Sequence, residues 1–387
     1  MGEEENMNTE TAARAPEYTF QHFLVQAGVR ENLPFAQRIE MNPEMIPMKH
    51  QVSGLNQVLA YDRYGLYDEP GCVSGDTEFL TPTGWKRMDE YAAGDEVAQF
   101  DPDSRGISFC LPDRYIKEPC DTMLHVKPAR GTDQMITEDH KVLLYSKTNV
   151  SRDGKIGAWT TKTGLEWYEG QDKASGQGVC TTFNTARAGV PLTEAQLRVM
   201  VAVIADGHFA SSTNRVVVRL KKQRKKERLR SLLKKVGVDY SERECGGKVK
   251  GFTVFSFNAP RREKEFGEFY WDCSPAQLKV IADEVRYWDS HVDSREGANF
   301  QFCSTAKASA DFVQYACAAS GYTSSLVLSP QKNKPEHHQP LYLVIVRRGA
   351  VYVHGKPGHI TKMPSQDGFK YCFTVPTGFL LMRRNGY

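Results

Sequence analysis

Three residues in the first half of the chain have the chemistry to rearrange a peptide bond. Cys72 opens the stretch CVSGDTEFLTPTGW, and Thr137 and His140 follow in GTDQMITEDHKVLLYS, three residues apart in a predicted turn between strands. A thiol, a hydroxyl and an imidazole can together polarise a backbone carbonyl and accept its acyl group. The alternative is that Cys72 is a small buried hydrophobic residue, as most single cysteines are.

Two aspartates, Asp206 and Asp289, end segments that predict helices. The first segment, LRVMVAVIADGH, is apolar on nearly all sides, which is typical of a buried helix. The helix dipole opposes a carboxylate at the C-terminus, so a compensating cation is expected there. If the two helices pack together, the acids converge and can hold Mg²⁺ for phosphodiester cleavage. An ordinary core helix is the alternative interpretation.

A run of positive charge follows the first of these acids. Between Arg215 and Lys235 there are eleven basic residues and one acid, Glu227. Such a run is often only a solvated helix face, but beside a predicted catalytic acid it favours contact with DNA phosphates. The candidate DNA-binding residues are Arg215, Arg219, Lys221, Lys222, Arg224 and Lys225.

Composition excludes several classes of protein. The 387 residues are 40% hydrophobic and 25% charged with a net charge of +3, so nucleic-acid affinity must come from local clusters. No apolar run is long enough to span a membrane, and the acidic N-terminus is not a secretory signal. The nine cysteines are scattered without a CxxC pair, which favours a reducing cytoplasm and argues against a zinc ribbon.

The pattern of apolar residues and turns changes three times along the chain. Residues 1–71 begin polar, with a predicted disordered start, and residues 72–190 consist of short alternating strands broken by Gly, Pro and Asp turns. Residues 191–328 alternate helices with strands, and residues 329–387 return to strands. We therefore predict an α+β multidomain fold in which an all-β domain is interrupted by an α/β domain.

The α/β insert contains an internal repeat. TEAQL at 193–197 and SPAQL at 274–278 are both capping-box helix starts. Each predicted helix runs to an acidic turn and is followed by a strand and an amphipathic helix that ends at Gly237 or Gly321. The matched order predicts a duplication with pseudo-twofold symmetry.

The repeat resembles the LAGLIDADG homing endonucleases, with VMVAVIADG as one motif copy and ADEVRYWDS as the other. The second copy departs from the family pattern, because Ser290 replaces Gly and two extra residues precede the acid. The resemblance implies a DNA-cleaving domain with two β-saddles in the major groove and Asp206 and Asp289 as metal ligands. It also implies that Lys307 is a basic catalytic residue, with Gln223 as its counterpart in the first repeat.

The flanking strands resemble the Hint fold of inteins. CVSGDTEFLTPTGWKRMDEY, MITEDHKVLL and KYCFTVPTGFLLMRRNG are similar to three intein motifs. The resemblance implies a horseshoe-like splicing domain in which Cys72 makes an N–S acyl shift and Thr137 and His140 activate the amide before it. Cys372 stands where many inteins have Asp, and Gly378 lies near the place of an absent histidine.

The segment before Cys72 resembles the start of a helicase or translocase motor. MKHQVSGLNQVLAYDRYGLYDEPG leads towards a Walker A loop that breaks off at Gly71, and no GK[ST] occurs in the chain. Asn385 is followed by Gly rather than by Cys, Ser or Thr, so Asn385 is expected to be a turn residue. The chain is expected to be a truncated product or the N-terminal piece of a split intein, with a complementary segment as partner.

Two other classes of function stay open at this point. One is a helicase fragment with an inert insert, against which the missing GK[ST] argues. The other is a DNA-binding nuclease without splicing activity, against which the spacing of Cys72, Thr137 and His140 argues.

Overall fold

The computed structural model describes residues 71–128, 131–146, 159–171, 177–209, 213–247, 250–292, 299–329, 339–347, 352–353 and 359–387. Every described residue belongs to one compact unit, residues 70–387. The predicted helicase-like segment, apart from Gly71, therefore lies outside the described residues and stays a prediction.

The described chain is a mixed α/β structure with many strands and few helices. The elements before the insert are β1 (Glu78–Thr81), β2 (Gly84–Arg87), a 3₁₀ turn (Met88–Glu90), β3 (Val97–Asp101), β4 (Gly106–Cys110), β5 (Arg114–Pro119), β6 (Thr122–Val126), β7 (Gln134–Ile136), β8 (Lys141–Ser146), β9 (Trp159–Thr163), α1 (Gly164–Glu169) and β10 (Gln177–Val179).

The insert holds two sets of elements in the same order. The first is α2 (Glu194–Asp206), β11 (Gly207–Phe209), β12 (Arg215–Leu220), α3 (Gln223–Val236), β13 (Tyr240–Glu244) and β14 (Thr253–Asn258). After α4 (Glu268–Trp271) the second is α5 (Pro275–Glu284), a 3₁₀ turn (Val285–Tyr287), β15 (Ser290–Val292), β16 (Phe300–Ser304), α6 (Lys307–Ala319), β17 (Thr323–Leu328) and β18 (Tyr342–Arg347). The chain then continues with β19 (Tyr352–Val353), β20 (Ile360–Pro364), β21 (Phe369–Thr374) and β22 (Met382–Arg383).

Strands from both flanks of the insert pair with each other. β1 pairs with β22, β5 with β21, β6 with β20 and β10 with β19, all antiparallel. Because each of these pairs joins a strand before the insert to a strand after it, the flanks form one β module, which we call the outer module. Its core includes Phe79, Leu124, Trp167, Tyr371 and Phe373.

The two halves of the insert have the same sheet topology. The first sheet has the order β11-β12-β14-β13 and the second the order β15-β16-β18-β17. β18 therefore belongs to the insert, whereas the sequence boundary at residue 328 assigned this strand to the returning β domain. Its register explains the difference, since Val344 and Val346 pair with Phe302 and Phe300 of β16 and are fully buried.

The two long N-terminal helices of the halves begin as expected and end differently. Thr193 with Gln196 and Ser274 with Gln277 form complete capping boxes at the starts of α2 and α5. The helix α2 runs to Asp206, but α5 ends at Glu284 and not near Asp289 as expected. The 3₁₀ turn takes up the two extra residues of this half.

Among the described residues, no helix has both the length and the apolar character needed to cross a membrane.

Candidate active sites

The peptide bond before Cys72 is held between two strands of the outer module. Val73 exchanges backbone hydrogen bonds with Tyr371 of β21, with N···O distances of 2.8 and 2.9 Å. On the other side, Ser74 N–H donates to Met135 of β7 at 3.1 Å. Residues 72–74 therefore run as a short extended segment between β7 and β21, and this segment fixes the position of the Gly71–Cys72 bond.

The side chains predicted to act on this bond meet around it. His140 Nδ1 lies 2.5 Å from the Gly71 carbonyl oxygen, and the Cys72 N–H donates to Thr137 Oγ1 at 2.8 Å. The Cys372 thiol lies 3.6 Å from the same Gly71 oxygen as a donor. Cys72 and Cys372 are 1% and 3% exposed and share a small buried cluster with Ile116. The structure thus brings the four predicted residues to one peptide bond.

The hydrogen bond to Gly71 defines the protonation of His140. A carbonyl oxygen only accepts, so Nδ1 carries a proton and Nε2 is the nitrogen without one in the neutral ring. Burial lowers the pKa of His140 below its usual value, while the Gly71 carbonyl opposes this change. The imidazole is therefore neutral at pH 7 and directs an N–H at the carbonyl.

Gly71 precedes the predicted scissile bond, but the sequence did not show that this position excludes a side chain. A Cβ at this position would lie 1.8 Å from Cα and 2.0 Å from N of His140, which no side chain tolerates. The close approach of the two backbones is what allows the imidazole to reach the carbonyl. A cavity of about 230 Å³ is lined in part by Gly71, His140 and Cys372.

The C-terminal residues pack on this module through a buried carboxylate. Asp133 is 1% exposed and accepts hydrogen bonds from Arg384, from Asn385 Nδ2 at 3.2 Å, and from His125 at 2.9 Å. Asn385 has a φ of 50°, the left-handed conformation expected of a turn residue. Gly378, with a φ of 73°, also stands in a turn.

The two predicted catalytic aspartates converge where α2 and α5 pack side by side. One ammonium, that of Lys225 in α3, lies 2.5 Å from Asp206 Oδ2 and 3.6 Å from Asp289 Oδ1. Because a single cation reaches both carboxylates, we call these two residues the acid pair.

Burial and neighbouring charges shift the pKa values of ionisable groups at this site. Burial, together with the negative charge of Asp206, raises the pKa of Asp289, while Lys225 and Lys264 oppose this change. Lys264 donates to the carbonyls of Val203 and Ile204 near the end of α2, at 2.8 and 2.6 Å. Burial lowers the pKa of Lys264, and the two aspartates oppose that shift. Sequence reasoning missed Lys264, which lies in a polar stretch without a motif.

The acid pair fits a magnesium ion in the type of its donors. Hard carboxylate oxygens are what Mg²⁺ takes from a protein, together with water and phosphate oxygens. No larger group of His, Cys, Asp and Glu able to hold a metal occurs in the described part of the chain. The acid pair is therefore the candidate magnesium site, with Lys225 between its carboxylates.

The predicted DNA-binding residues occupy three different positions. Arg215 and Arg219 are exposed on β12, and the exposed Lys221 and Lys222 follow it at the turn into α3. Arg224 instead donates to the Tyr287 carbonyl at 2.7 Å. Lys225 contacts the acid pair.

The predicted basic residue of the second half lies at the start of α6. Lys307 forms ion pairs with Asp311 at 2.9 Å and with Glu78 of the outer module at 3.5 Å. Its counterpart Gln223 donates to Glu227 at 2.8 Å. The acid pair is contacted by Lys225 and not by Lys307, so the structure does not place Lys307 where the family resemblance implies a basic catalytic residue.

Comparisons with known proteins gave a curated relative and several similar solved structures. No family profile matches the chain. It is 22% identical over 347 residues to the ribonucleoside-diphosphate reductase subunit beta of Aquifex aeolicus (strain VF5), covering 81% of this chain and 48% of that protein. The chain thus spans about half the length of the curated relative it matches.

Similar solved structures include a split intein and LAGLIDADG proteins. The AceL NrdHF class 3 split intein is 21% identical, covers 25% of this chain and 57% of its own, and has a TM-score of 0.21. The N-terminal LAGLIDADG domain of DUF199/WhiA is 11% identical over 41% of this chain and 78% of its own, with a TM-score of 0.30. I-DmoI in complex with DNA and Ca is 11% identical, covers 40% of this chain and 83% of its own, and has a TM-score of 0.28. With TM-scores this low, the roles proposed below rest on the geometry of this chain.

Proposed function

We propose that this chain rearranges its own peptide bond between Gly71 and Cys72 by an N–S acyl shift, the opening step of protein splicing. The observation that carries the proposal is the 2.5 Å contact between His140 Nδ1 and the Gly71 carbonyl oxygen. A polarised carbonyl directly before a buried cysteine is the arrangement that such a shift requires.

The surrounding groups account for each change in bonding. The Cys72 sulfur attacks the Gly71 carbonyl carbon, the C–S bond forms, the C–N bond breaks, and the thiol proton ends on the Cys72 nitrogen. Negative charge develops on the Gly71 oxygen, where the His140 N–H and the Cys372 S–H both donate. Thr137 Oγ1 accepts from the Cys72 N–H and so holds the scissile amide in place.

Cleavage by a small nucleophile tests this proposal. Dithiothreitol or hydroxylamine should release residues 1–71, detected by mass spectrometry, and Cys72→Ala should abolish the release. We expect His140→Ala to slow it by about 10²-fold, the usual effect of a positioned acid–base group. Cys110→Ala, a partly buried cysteine on β4, is the matched control and should behave like wild type.

The same assay can reassign the nucleophile. If Cys72→Ala still cleaves and Cys372→Ala does not, the attacking thiol is that of Cys372. If neither substitution changes cleavage, the proposal is wrong. Because we also propose a complementary segment as partner, the assay is run with the chain alone and with an added C-terminal intein peptide.

A second function, cleavage of duplex DNA by the insert, is favoured by the acid pair. We propose that Asp206 and Asp289 hold Mg²⁺ and that the two sheets bind DNA, with Arg215 and Arg219 contacting phosphates. The metal would supply charge stabilisation of the attacked phosphate and activation of water. Asp206 ends α2, and Asp289 follows the 3₁₀ turn after α5. We propose that each carboxylate serves one strand of the duplex.

The substrate proposed for the insert is the helicase-like host gene without its interruption. A plasmid carrying that uninterrupted sequence should be linearised in the presence of Mg²⁺. Asp206→Asn and Asp289→Asn should each abolish linearisation while leaving DNA binding largely intact. Asp272→Asn, an exposed carboxylate just before α5, is the control. Mutants of the acid pair that cut like wild type would disprove the metal site.

A further inference from the structure

The acid pair already has a cation between its carboxylates. Lys225 contacts Asp206 at 2.5 Å and Asp289 at 3.6 Å, and its side chain is only 10% exposed. Its ammonium also lies 5.7 Å from the centre of the Trp288 ring. A buried ammonium held on two carboxylates and an aromatic face is a specific position rather than a solvated surface charge.

The second half of the insert has no lysine at the position equivalent to Lys225. Counted back from Gly237 and Gly321, Lys225 corresponds to Ser309, whose hydroxyl accepts from the Phe266 N–H at 3.0 Å. One half of the duplication therefore supplies the ammonium for both carboxylates, and the other half has a neutral structural residue at that place.

The second lysine of the site has a different role. Lys264 donates to the backbone carbonyls of Val203 and Ile204, where it neutralises the negative end of the α2 dipole. Lys225 is thus the ammonium that directly occupies the oxygens a divalent ion would need.

We propose that Lys225 is a built-in counter-ion of the acid pair, which a divalent metal must displace in order to bind. This inference rests on the proposed nuclease function. Part of the free energy of metal binding is used to break the Lys225 contacts, so affinity is low without DNA. A DNA phosphate beside the site would accept the displaced ammonium, so metal and DNA would each increase the affinity for the other by the same factor.

Calorimetric titration of the DNA-free full-length chain with Mn²⁺ tests the proposal. Lys225→Met should bind Mn²⁺ at least ~10-fold more tightly than wild type, because a positive charge within ~4 Å of the metal position is removed. The matched control is Lys279→Met, which removes a lysine paired with Asp283 on the exposed side of α5 and should leave the affinity unchanged. Equal or weaker binding by a folded Lys225→Met variant overturns the proposal.

A measurement on the wild-type protein covers the case in which the variant does not fold. Reductive methylation followed by peptide mass spectrometry reports how accessible each lysine is. Saturating Mn²⁺ should increase the methylation rate of Lys225 severalfold and leave that of Lys279 unchanged. Unchanged labelling of Lys225, with metal binding verified by calorimetry, would contradict the proposal.

The two proposals fail separately. If the metal displaces Lys225 but the chain cuts no DNA, the counter-ion proposal stands and the nuclease proposal is wrong. If the chain cuts DNA while Lys225 stays protected from methylation, the nuclease proposal stands and the counter-ion proposal is wrong.

Discussion

The sheet of β11–β14 and the sheet of β15–β18 have the same register but different charge on their outer faces. Val218 pairs with Gly207 in the first sheet as Phe302 pairs with Ser290 in the second, so Arg219 corresponds to Cys303. By the same register the exposed Arg243 of β13 corresponds to Val327 of β17. One half of the duplication therefore presents arginines where the other presents neutral side chains.

The helices of the two halves also differ in charge, but here the charged residue is an acid and belongs to the second half. Glu284 of α5 is fully buried, whereas α2 has a buried valine at the corresponding place, Val203 when counted from the start and Val201 from the acid. Two arginines of the first half, Arg198 and Arg228, pair with Glu284.

The first half thus supplies cations to anions of the second half, both at Glu284 and at Asp289. The two halves are complementary and not interchangeable. This interdependence makes the comparison testable by substitutions that act on one half at a time.

The largest effect is expected from the buried ion pair between the halves. Arg228→Met leaves the Glu284 carboxylate with fewer partners in the core, and removing one member of such a pair costs about 3 kcal/mol of unfolding free energy. The matched control is Arg230→Met on the same helix. It breaks the partly exposed pair of Arg230 with Glu242 of β13 and should cost less than about 1 kcal/mol. Urea denaturation measures both, and equal losses would show that the halves do not depend on this pair.

A smaller effect, on DNA affinity, is expected when one half receives the side chain that the other half has at the corresponding sheet position. Arg219→Cys should lower DNA affinity about tenfold and reduce the salt slope by about 1, as the loss of one phosphate contact does. Cys303→Arg should change both quantities in the opposite direction. Fluorescence anisotropy at several salt concentrations measures them, and a loss of affinity in Cys303→Arg would show that the second sheet does not face DNA.

The smallest effect concerns the pH dependence of stability at Asp289. Because burial and the charge of Asp206 raise the pKa of Asp289, the folded protein holds this proton more firmly than the unfolded chain does. The free energy of unfolding should therefore fall as the pH rises from the ordinary aspartate pKa through the raised one. Asp289→Asn removes this fall, so its Tm relative to wild type should increase across that window and then stay constant. A Tm difference that does not vary with pH would contradict this prediction.

Local patterns predicted the helix starts, and they selected residues that the structure brings together at the Gly71–Cys72 bond. The capping boxes at Thr193 and Ser274 depend on residues three positions apart, which are visible in any sequence. Cys72, Thr137 and His140 were found because their chemistry is rare in combination, and the structure does place them around one bond.

Partners distant in the chain were harder to predict. The alternation of β18 shows which residues are buried but not which strand is the neighbour, so the sequence alone predicts that this strand belongs to the returning β domain. Lys225 looked like one more residue of a basic run, because nothing local distinguishes a lysine that faces two acids from one that faces water. Lys264 was missed for the same reason.

The contact between Gly71 and His140 has a consequence for inheritance. If the bond after Gly71 is the one that rearranges, and if the chain is an element inserted in a host protein as its resemblance to inteins implies, then the absence of space for a Cβ means that the element works only where the host supplies glycine at the junction. If the coding sequence were inserted after a codon for another residue, the side chain of that residue would block the acyl shift sterically, even with every residue of the element intact. The genomic positions open to this element are then codons that follow a glycine codon, and the glycine-rich phosphate loops of ATPases are among the places where such codons are common.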